Sequence, residues 1–377
     1  MKKVIGMDLG DKKHVVVVFD EEGNEMGTER IVNTSKQLQR FFSRHPGAVV
    51  VMEAGTHSAW IDRLLRKMGH EVHVGNPRRL RAIWDADDKS DERDARILGL
   101  MYRMEPRLLH RVFHRGEQAQ ADLSVIKSRM QLVRCRIDLI NHVRGLVKGI
   151  GERLPSSSAA AFHKRAREHM PEALRNALEV VVDTIEQLTA QIKELDARID
   201  RLSEDQYPET IWLRQVGGVG PLTALAFVLT LEDPSRFEKS RSVGTWLGLT
   251  PKQDQSGYSD KQLRITKAGN TYLRQLLVNC AHHILGPFGR DCDLRQYGER
   301  IAARGGKNAK KRAVVAVARK LAVLLHRLWM DQSEYTALHQ KSKRKELRTD
   351  PAPLRRAGVG PILAEPDLYV TPAEASK

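Results

Sequence analysis

Cysteines, aromatic residues and long apolar runs are all scarce in this sequence. The three cysteines among 377 residues are too few and too scattered for a disulfide framework, which favours a reducing compartment. No stretch approaches the roughly 20 consecutive apolar residues that a membrane-spanning helix needs. The positively charged start MKKVIGMDLG reaches Asp8 after only four further residues, too soon for a signal peptide. These absences exclude an integral membrane protein and predict an uncleaved cytoplasmic chain.

Acidic residues are outnumbered by basic ones. Lysine and arginine total 63 against 47 aspartates and glutamates, which gives a formal charge of +16 at pH 7. Such an excess favours a polyanionic partner, with nucleic acid as the first expectation and an anionic membrane surface as the second. The length predicts two or three domains, because one domain usually takes roughly 100–200 residues.

The first hundred residues alternate strand and helix signals. The runs VIGMDL, HVVVVFD and MGTERIV are rich in β-formers and are separated by turn residues, which predicts an antiparallel three-stranded meander. The nearly all-apolar run AVVVMEA is typical of a central strand covered on both faces. Helices near 35–44 and 58–68 and a strand in EVHVGN complete the pattern. This order predicts a ribonuclease H-like α/β domain over residues 1–113.

Residues 114–205 change to a helical pattern in which apolar residues recur three and four positions apart. This spacing predicts two long coiled-coil helices, with a break at PSSS (155–158) and a restart at Pro171. The helices either fold back on each other or pair with another subunit, and pairing between subunits is the favoured alternative. The seam consists of Leu123, Ile126, Met130, Val133, Ile137, Ile140, Leu174, Leu178, Val181, Ile185, Leu188, Ile192, Leu195, Ile199 and Leu202.

From Trp212 onward, shorter helices are joined by glycines, which predicts an all-α domain over residues 206–340. The turn VGGVGP between two amphipathic runs is typical of a helix-hairpin-helix. Gly217, Gly218 and Gly220 would let backbone N–H groups approach a phosphate without reading the base sequence. Alternatively, these glycines only let two helices pack closely. The proline-rich segment 341–377 has no periodic pattern and is expected to be disordered.

A dense basic run follows in the same domain. Seven lysines and arginines and no acid stand between Arg304 and Lys320. Because phosphate neutralisation by basic side chains supplies most non-specific nucleic-acid binding, this run is a candidate phosphate contact. The residues expected to make such contacts are Lys267, Lys307, Lys310, Lys311 and Arg312.

Four acids fall where the predicted fold brings them together. Asp8 ends the first strand and Glu53 ends the fourth, which lie side by side in this strand order, and Asp91 and Asp94 share one face of a new helix. Clustered carboxylates repel unless divalent cations neutralise them, and such hard ligands suit Mg²⁺ or Mn²⁺. Two such ions can support phosphodiester cleavage. Taken singly, each acid is also explained as a turn acid or a helix N-terminal acid.

A serine beside a glycine stands in a basic loop. Ser256, in the sequence QSG, lies among Lys252, Lys261 and Arg264, whose charges could stabilise a phosphodiester under attack by the hydroxyl. Serine-glycine is also an ordinary turn, and Ser259 is a competing hydroxyl. Composition alone therefore leaves the nucleophile open.

Together, these segments resemble the insertion-sequence transposases with a D-E-D-D RuvC-like domain and a downstream serine, the bridge-RNA-guided recombinases of insertion-sequence family one-hundred-and-ten. The likeness covers about residues 1–335 and rests on GMDLG, VVMEAG, KSDERDA, GLTP, and QSG followed by RITKAGNTYLR. It implies that Asp8, Glu53, Asp91 and Asp94 bind Mg²⁺ or Mn²⁺ and take part in catalysis. It also implies that Ser256 is the nucleophile.

The resemblance further implies donor and target DNA as partners, an element-encoded guide RNA, and a location at the bacterial nucleoid. It implies a homo-oligomer, dimer to tetramer, in which the serine of one subunit completes the carboxylate pocket of another. This chain departs slightly from the commoner pattern at the serine, where Gln255 precedes Ser256 and Tyr258 and Ser259 follow Gly257. Because of that departure, Ser259 stays a candidate for the nucleophile.

Other functions explain less of the chain. A RuvC-like resolvase with water as nucleophile would use the four acids but leave the C-terminal third idle. A sugar-kinase or chaperone-type ATPase shares the opening D-L-G strand but needs a second glycine loop and an adenosine motif. An architectural nucleic-acid-binding protein would leave the acids without metal. Zinc at Cys280, His282, His283 and Cys292 is disfavoured because these residues follow a helical pattern.

Overall fold

The N-terminal third of the chain forms a mixed sheet with helices on both faces. The structure is a computed structural model that describes residues 2–80, 90–257, 259–261 and 263–339. The elements of this part are β1 (Val4–Asp8), β2 (Lys13–Phe19), β3 (Glu25–Val32), α1 (Ser35–Phe42), β4 (Val49–Glu53), α2 (Ser58–Lys67), β5 (Glu71–Gly75), α3 (Pro77–Leu80) and α4 (Asp91–Met104).

The five strands have the order β3-β2-β1-β4-β5. β1 pairs antiparallel with β2, which pairs antiparallel with β3, whereas β4 runs parallel to both β1 and β5. The predicted meander and the predicted central position of the apolar strand β4 are therefore confirmed. Alternate valines of these strands are buried on opposite faces, against α1 and α2 on one side and against α4 on the other.

Two long helices follow the sheet and pack against each other within the chain. They are α5 (Glu117–Gly149) and α7 (Glu172–Arg201), with the short helix α6 (Phe162–Glu168) between them. Ile140 shares a buried cluster with Leu178 and Ile185. The ion pair of Arg129 with Asp196 also joins α5 to α7, closer to the N-terminal end of α5.

This packing changes one expectation. We expected the seam to pair between subunits, but its residues Leu178, Ile185, Ile192 and Ile199 are buried within the chain. The connection between the helices lets α7 turn back onto α5, and a tethered partner costs less association entropy than a second molecule. The heptad pattern is the same in both cases, so the pattern alone does not distinguish them.

The C-terminal part is almost entirely helical. Its elements are α8 (Thr210–Arg214), α9 (Pro221–Leu231), α10 (Arg241–Trp246), β6 (Gln255–Ser256), β7 (Ser259–Asp260), α11 (Thr271–Leu285), α12 (Asp293–Ala302) and α13 (Ala309–Asp331). Helix α9 is buried from Thr223 to Leu231 and lies at the centre of the largest core. Leu123 and Ile199 belong to that core, so one end of the α5–α7 hairpin is embedded in it. The expected disordered tail, 341–377, lies outside the described residues.

A half-buried arginine fixes the connection between the sheet and the helical part. Arg115 donates hydrogen bonds to the carbonyl oxygens of Leu229 at 2.6 Å and Thr230 at 3.1 Å, near the C-terminal end of α9. These carbonyls have no partner inside the helix, and a cation at this end also interacts favourably with the negative end of the helix dipole. The N–H of Gly116 donates to Glu232 Oε1 at 2.8 Å. None of the helices in the described part of the chain is long and apolar enough to cross a membrane.

Candidate active site

Two of the predicted acids end neighbouring parallel strands. Asp8 is the last residue of β1 and Glu53 is the last residue of β4. The register pairs Met7 with Met52, so the two acids follow at the same level of the sheet. Successive strand residues point to opposite faces, which places both side chains on the face that α4 covers, with Val51.

Helix α4 carries the other two acids in its first turn. Asp91 is its first residue and Asp94 follows three positions later, so both lie near one side of the helix. The hydroxyl of Ser90 accepts a hydrogen bond from the N–H of Arg93 at 3.3 Å and caps the helix start. Lys89, part of the KSDERDA motif, lies outside the described residues.

A glycine in β1 lets α4 lie directly on the strand. A Cβ atom added at Gly6 would stand 1.9 Å from the carbonyl oxygen of Ala95 and 2.8 Å from the nitrogen of Gly99. Any side chain at this position would push the helix away. On the other edge of α4, Arg96 donates to both carboxylate oxygens of Glu25 at 2.8 and 3.0 Å, which ties the helix to β3. The acids of α4 are thereby held at the end of β1.

The four acids interact electrostatically. Burial, followed by the negative charges of Asp91, Asp94 and Glu53, raises the pKa of Asp8 from 3.8 to about 6, while the N–H of Leu9 opposes the rise. Among the described residues, however, no three His, Cys, Asp or Glu side chains are grouped closely enough to hold a metal ion. The donor set suits a hard divalent cation, whose charge would relieve the repulsion, but closing around one requires the side chains to move together.

A fifth acid and a histidine, which the sequence analysis did not select, lie at the same end of the sheet. His57 Nε2 lies 3.3 Å from Asp11 Oδ1, and Trp60 Nε1 donates to His57 Nδ1 at 3.4 Å. His14 is fully buried, and neither of its ring nitrogens has a hydrogen-bond partner among the described residues. The spacing from Asp8 to Asp11 was the one available signal, and it is a common one.

Ser256 lies at the tip of a small β-hairpin. Ser256 in β6 pairs with Ser259 in β7, and Gly257 between them has φ +53°, a left-handed conformation that favours glycine. The loop that we predicted is thus a two-stranded arm with an exposed Ser256. Two hydrogen bonds close its base: Lys252 N–H to Arg264 O at 3.0 Å, and Thr266 N–H to Thr250 O at 2.9 Å.

A buried arginine holds the base of this hairpin. Arg274 donates to the carbonyl oxygens of Leu247 at 2.9 Å and Ala268 at 2.7 Å. Arg78, which follows β5, donates to the carbonyl oxygen of Lys267 at 3.5 Å, so the nuclease-like sheet and the hairpin base touch. Among the described residues, no hydrogen bond joins Ser256 to Asp8, Asp91 or Asp94. The contact between the four acids that the structure supports is electrostatic, through the effect of the other three on Asp8.

The glycine turn between α8 and α9 divides into two kinds of position. Gly218 has φ +90°, and a Cβ there would stand 2.9 Å from a ring carbon of His283, so this glycine serves close packing on α11. A Cβ at Gly217 or Gly220 would meet open space, so these two stay candidates for a phosphate contact. Cys280 is buried and donates its Sγ–H toward Thr223, as expected of a core thiol.

The basic run lies at the start of α13. Lys307, Lys310, Lys311 and Arg312 are all exposed, and the first turn of the helix contains no acid. Arg312 donates to the carbonyl oxygen of Gly305 at 2.9 Å. Basic residues at a helix N-terminus oppose the helix dipole, and a bound anion would offset that cost.

A mixed five-stranded sheet of this order, with acids ending β1 and β4 and opening α4, defines a nuclease-like domain of the DEDD class. Residues 5–152 match the family model DEDD_Tnp_IS110, described as a transposase, and residues 212–291 match the model described as the transposase IS116/IS110/IS902 family. The chain belongs to the IS110 family of transposases, which are DNA-cleaving and recombining enzymes of insertion sequences.

Curated relatives agree over nearly the whole chain. A probable family 20 transposase of Pseudomonas aeruginosa is 29% identical over 349 residues, covering 88% of this chain and 98% of the relative. The transposase for insertion sequence element IS1111A of Coxiella burnetii is 28% identical over 352 residues, covering 88% and 91%. A pilin gene-inverting protein of Moraxella lacunata is 30% identical over 143 residues, covering 38% and 42%.

Proposed function

We propose that this transposase breaks and rejoins DNA through a covalent ester between Ser256 and the DNA, in a Mg²⁺-dependent site made by Asp8, Glu53, Asp91 and Asp94. The observation that carries the metal assignment is the convergence of three negative charges on Asp8. Such a group is costly without a cation. When bound there, Mg²⁺ or Mn²⁺ would polarise the phosphodiester and lower the pKa of an attacking hydroxyl.

The proposed reaction conserves the energy of the broken bond. The Oγ atom of Ser256 attacks phosphorus, the bond from phosphorus to one deoxyribose oxygen breaks, and the serine proton leaves to a base while the departing oxygen gains a proton. In the second step, a hydroxyl of the incoming strand attacks the same phosphorus and displaces the serine oxygen, which recovers a proton. No ATP is required, because the ester holds the energy that hydrolysis would discard.

The position of the hairpin supports this role. Ser256 is exposed, and exposed cations at Lys252, Arg264 and Lys267 accompany it on the same arm. Such charges can stabilise the additional negative charge of the five-coordinate phosphorus. A serine that lies apart from the acids of its own chain is also compatible with a composite site, in which the acids come from another subunit.

Replacing the serine tests the chemistry. Ser256→Ala should remove both the protein–DNA adduct and the recombinant product while leaving DNA binding unchanged, and Ser259→Ala, its partner across the hairpin, is the matched control with a milder effect. The measurement is a denaturing gel of labelled donor DNA with Mg²⁺, followed by peptide mass spectrometry of the adduct. An adduct at Ser259, or strand joining by Ser256→Ala, would contradict the assignment. Cuts without joined product would indicate a resolvase that uses water.

We also propose that an element-encoded RNA guides the enzyme to donor and target DNA. The large basic excess and the exposed cations at the start of α13, with the open glycines Gly217 and Gly220, support binding of several nucleic-acid strands. Sequencing the RNA that copurifies with the protein tests this proposal. Recovery of one discrete RNA encoded beside the gene is expected, whereas random host fragments would contradict it.

The active enzyme is proposed to be a homo-oligomer, between dimer and tetramer. Packing of α5 on α7 leaves large apolar side chains uncovered on the α5–α7 hairpin: Leu146 is 42% exposed, Ile150 is 46% exposed and Val180 is 66% exposed. Leu139, partly buried, lies seven residues before Leu146 and so on the same side of α5. Uncovered apolar side chains on these two helices are what a further helix pair from a second subunit would cover.

A further inference from the structure

The six basic residues of α5 divide into two groups. Three of them face the rest of the chain: Arg129 pairs with Asp196, Arg136 donates to Thr189 at 3.3 Å, and the guanidinium of Arg144 lies over the ring of Phe162. The other three are Lys127, Arg134 and Lys148. They are exposed, and no ion pair between described residues involves any of them. Internal packing therefore accounts for the first group and leaves the second without a structural role.

The second group is regularly spaced. Lys127, Arg134 and Lys148 fit one heptad series, and Asn141 occupies the remaining position of that series. Seven residues are nearly two helical turns, so successive side chains lie on one side of α5, about 10 Å apart, and the series spans about 31 Å. We call these four residues the α5 stripe. Asp138 is the one exposed acid of α5 between Lys127 and Lys148, and no ion pair between described residues joins it to Arg134.

The N-terminal half of the α5 stripe, Lys127 and Arg134, lies on the part of α5 that is near α11, the helix that follows the serine hairpin. Leu123 and Ile126 of α5 belong to the same core as Leu273 of α11, and Tyr272 packs against that core. Burial raises the pKa of the Tyr272 hydroxyl, and the charges of Arg129 and Arg134 oppose that rise. Tyr272 is the second residue of α11 and follows Lys267 by five positions. A nucleic acid bound at the β6–β7 hairpin would therefore contact the α5 stripe at the point where the nucleic acid leaves the proposed active site.

We propose that the α5 stripe binds the phosphate backbone of duplex DNA flanking the strand held at the hairpin. Lysine, arginine and asparagine side chains in a straight row suit phosphate oxygens and carry no base specificity. The length of the stripe, about 31 Å, corresponds to about nine base pairs at 3.4 Å each. The proposal rests on the proposed function only in placing DNA at the hairpin.

Salt dependence of binding tests this surface. The stripe variant carries Lys127→Gln, Arg134→Gln and Lys148→Gln. The control variant loses the same charge from exposed residues of α1 and α2, on the face of the sheet away from α4, through Lys36→Gln, Arg40→Gln and Lys67→Gln. Two probes share the element-end sequence, one with flanks of about four base pairs and one with flanks of about fifteen, chosen below and above the stripe length. Binding is measured by fluorescence anisotropy in EDTA over a KCl series.

On the long probe, the stripe variant should bind more weakly and reduce the slope of log affinity against log salt by about 2 to 3, because each lost phosphate contact removes about 0.9. On the short probe, the stripe variant should have the affinity and salt slope of the wild type. The control variant should have wild-type affinity and slope on both probes. A wild-type slope on the long probe, or an equal loss on both probes, would overturn the proposal. Adduct formation by Ser256 on the short probe reports separately on the proposed chemistry.

Discussion

Replacing Asp8 by asparagine should stabilise the metal-free protein and abolish its cleavage activity. Burial and the charges of Asp91, Asp94 and Glu53 raise the pKa of Asp8 to about 6, so ionising this group costs folding free energy. Asparagine has nearly the same shape and no charge. The same substitution removes a proposed metal ligand, and the basic surfaces elsewhere keep the affinity for DNA.

The magnitude follows from the pKa shift. A rise from 3.8 to about 6 corresponds to about 3 kcal/mol at full effect. Asp8 is only partly buried, and solvent screening reduces this to about 1–2 kcal/mol. Below pH 3.8 the carboxyl group is protonated in both folded and unfolded states, so the wild type loses stability relative to Asp8→Asn as the pH rises from about 4 through 6. Above that range the difference is constant.

Urea denaturation in EDTA at several pH values measures this difference. The control is Asp11→Asn, since the Asp11 side chain is 90% exposed three residues away and should show little change. Adding Mg²⁺ should stabilise the wild type by mass action and leave Asp8→Asn nearly unchanged. The reasoning would be refuted if Asp8→Asn were no more stable than the wild type at pH 7.5, or if the difference did not vary between pH 4 and 6.

Two further predictions concern packing. Gly6→Ala should cost at least about 2–3 kcal/mol in urea denaturation and impair cleavage, because its Cβ would stand 1.9 Å from Ala95 O. Gly145→Ala, on an open helical surface, should be neutral or stabilise by up to about 1 kcal/mol, and equal costs for both would contradict the explanation. Leu146→Glu with Val180→Glu should lower the mass measured by light scattering with little loss of stability. An unchanged mass would place the subunit contact elsewhere.

The architecture of the sheet could be predicted because each strand carries its own evidence. Runs of β-formers separated by turn residues predict the meander, a nearly all-apolar run predicts that β4 lies inside the sheet, and the topology then places Asp8 beside Glu53. Asp91 and Asp94 were selected by spacing and by resemblance to a family. Their distance from Asp8 depends on Gly6 meeting Ala95, a contact between residues far apart in sequence that no local pattern encodes.

Other features depend on which segment of the molecule covers an apolar surface or accepts a hydrogen bond. A heptad seam is satisfied equally by the same chain or by another, so the pairing of α5 with α7 could not be derived from the pattern. Arg115 and Arg274 look like ordinary basic residues in a basic sequence, but both are directed at backbone carbonyls of distant segments. Gly218 was expected either to contact a phosphate or to let two helices pack closely, and a Cβ there would meet His283, a contact that the sequence could not reveal because it does not show which side of a turn is covered.

The two halves of the proposed chemistry are supported in different ways. The acids are held by regular structure, with two strand ends and a helix that Gly6 and Arg96 keep in place. Among the described residues, the serine hairpin is held by its own strand pairing, by two backbone hydrogen bonds at its base and by Arg274 beneath them, while Ser256 is exposed. Acids positioned by regular structure and an exposed nucleophile together favour a reaction that begins only when cation, DNA and subunits have assembled. If the serine of one subunit completes the acid site of another, as proposed, a lone subunit would not cleave DNA.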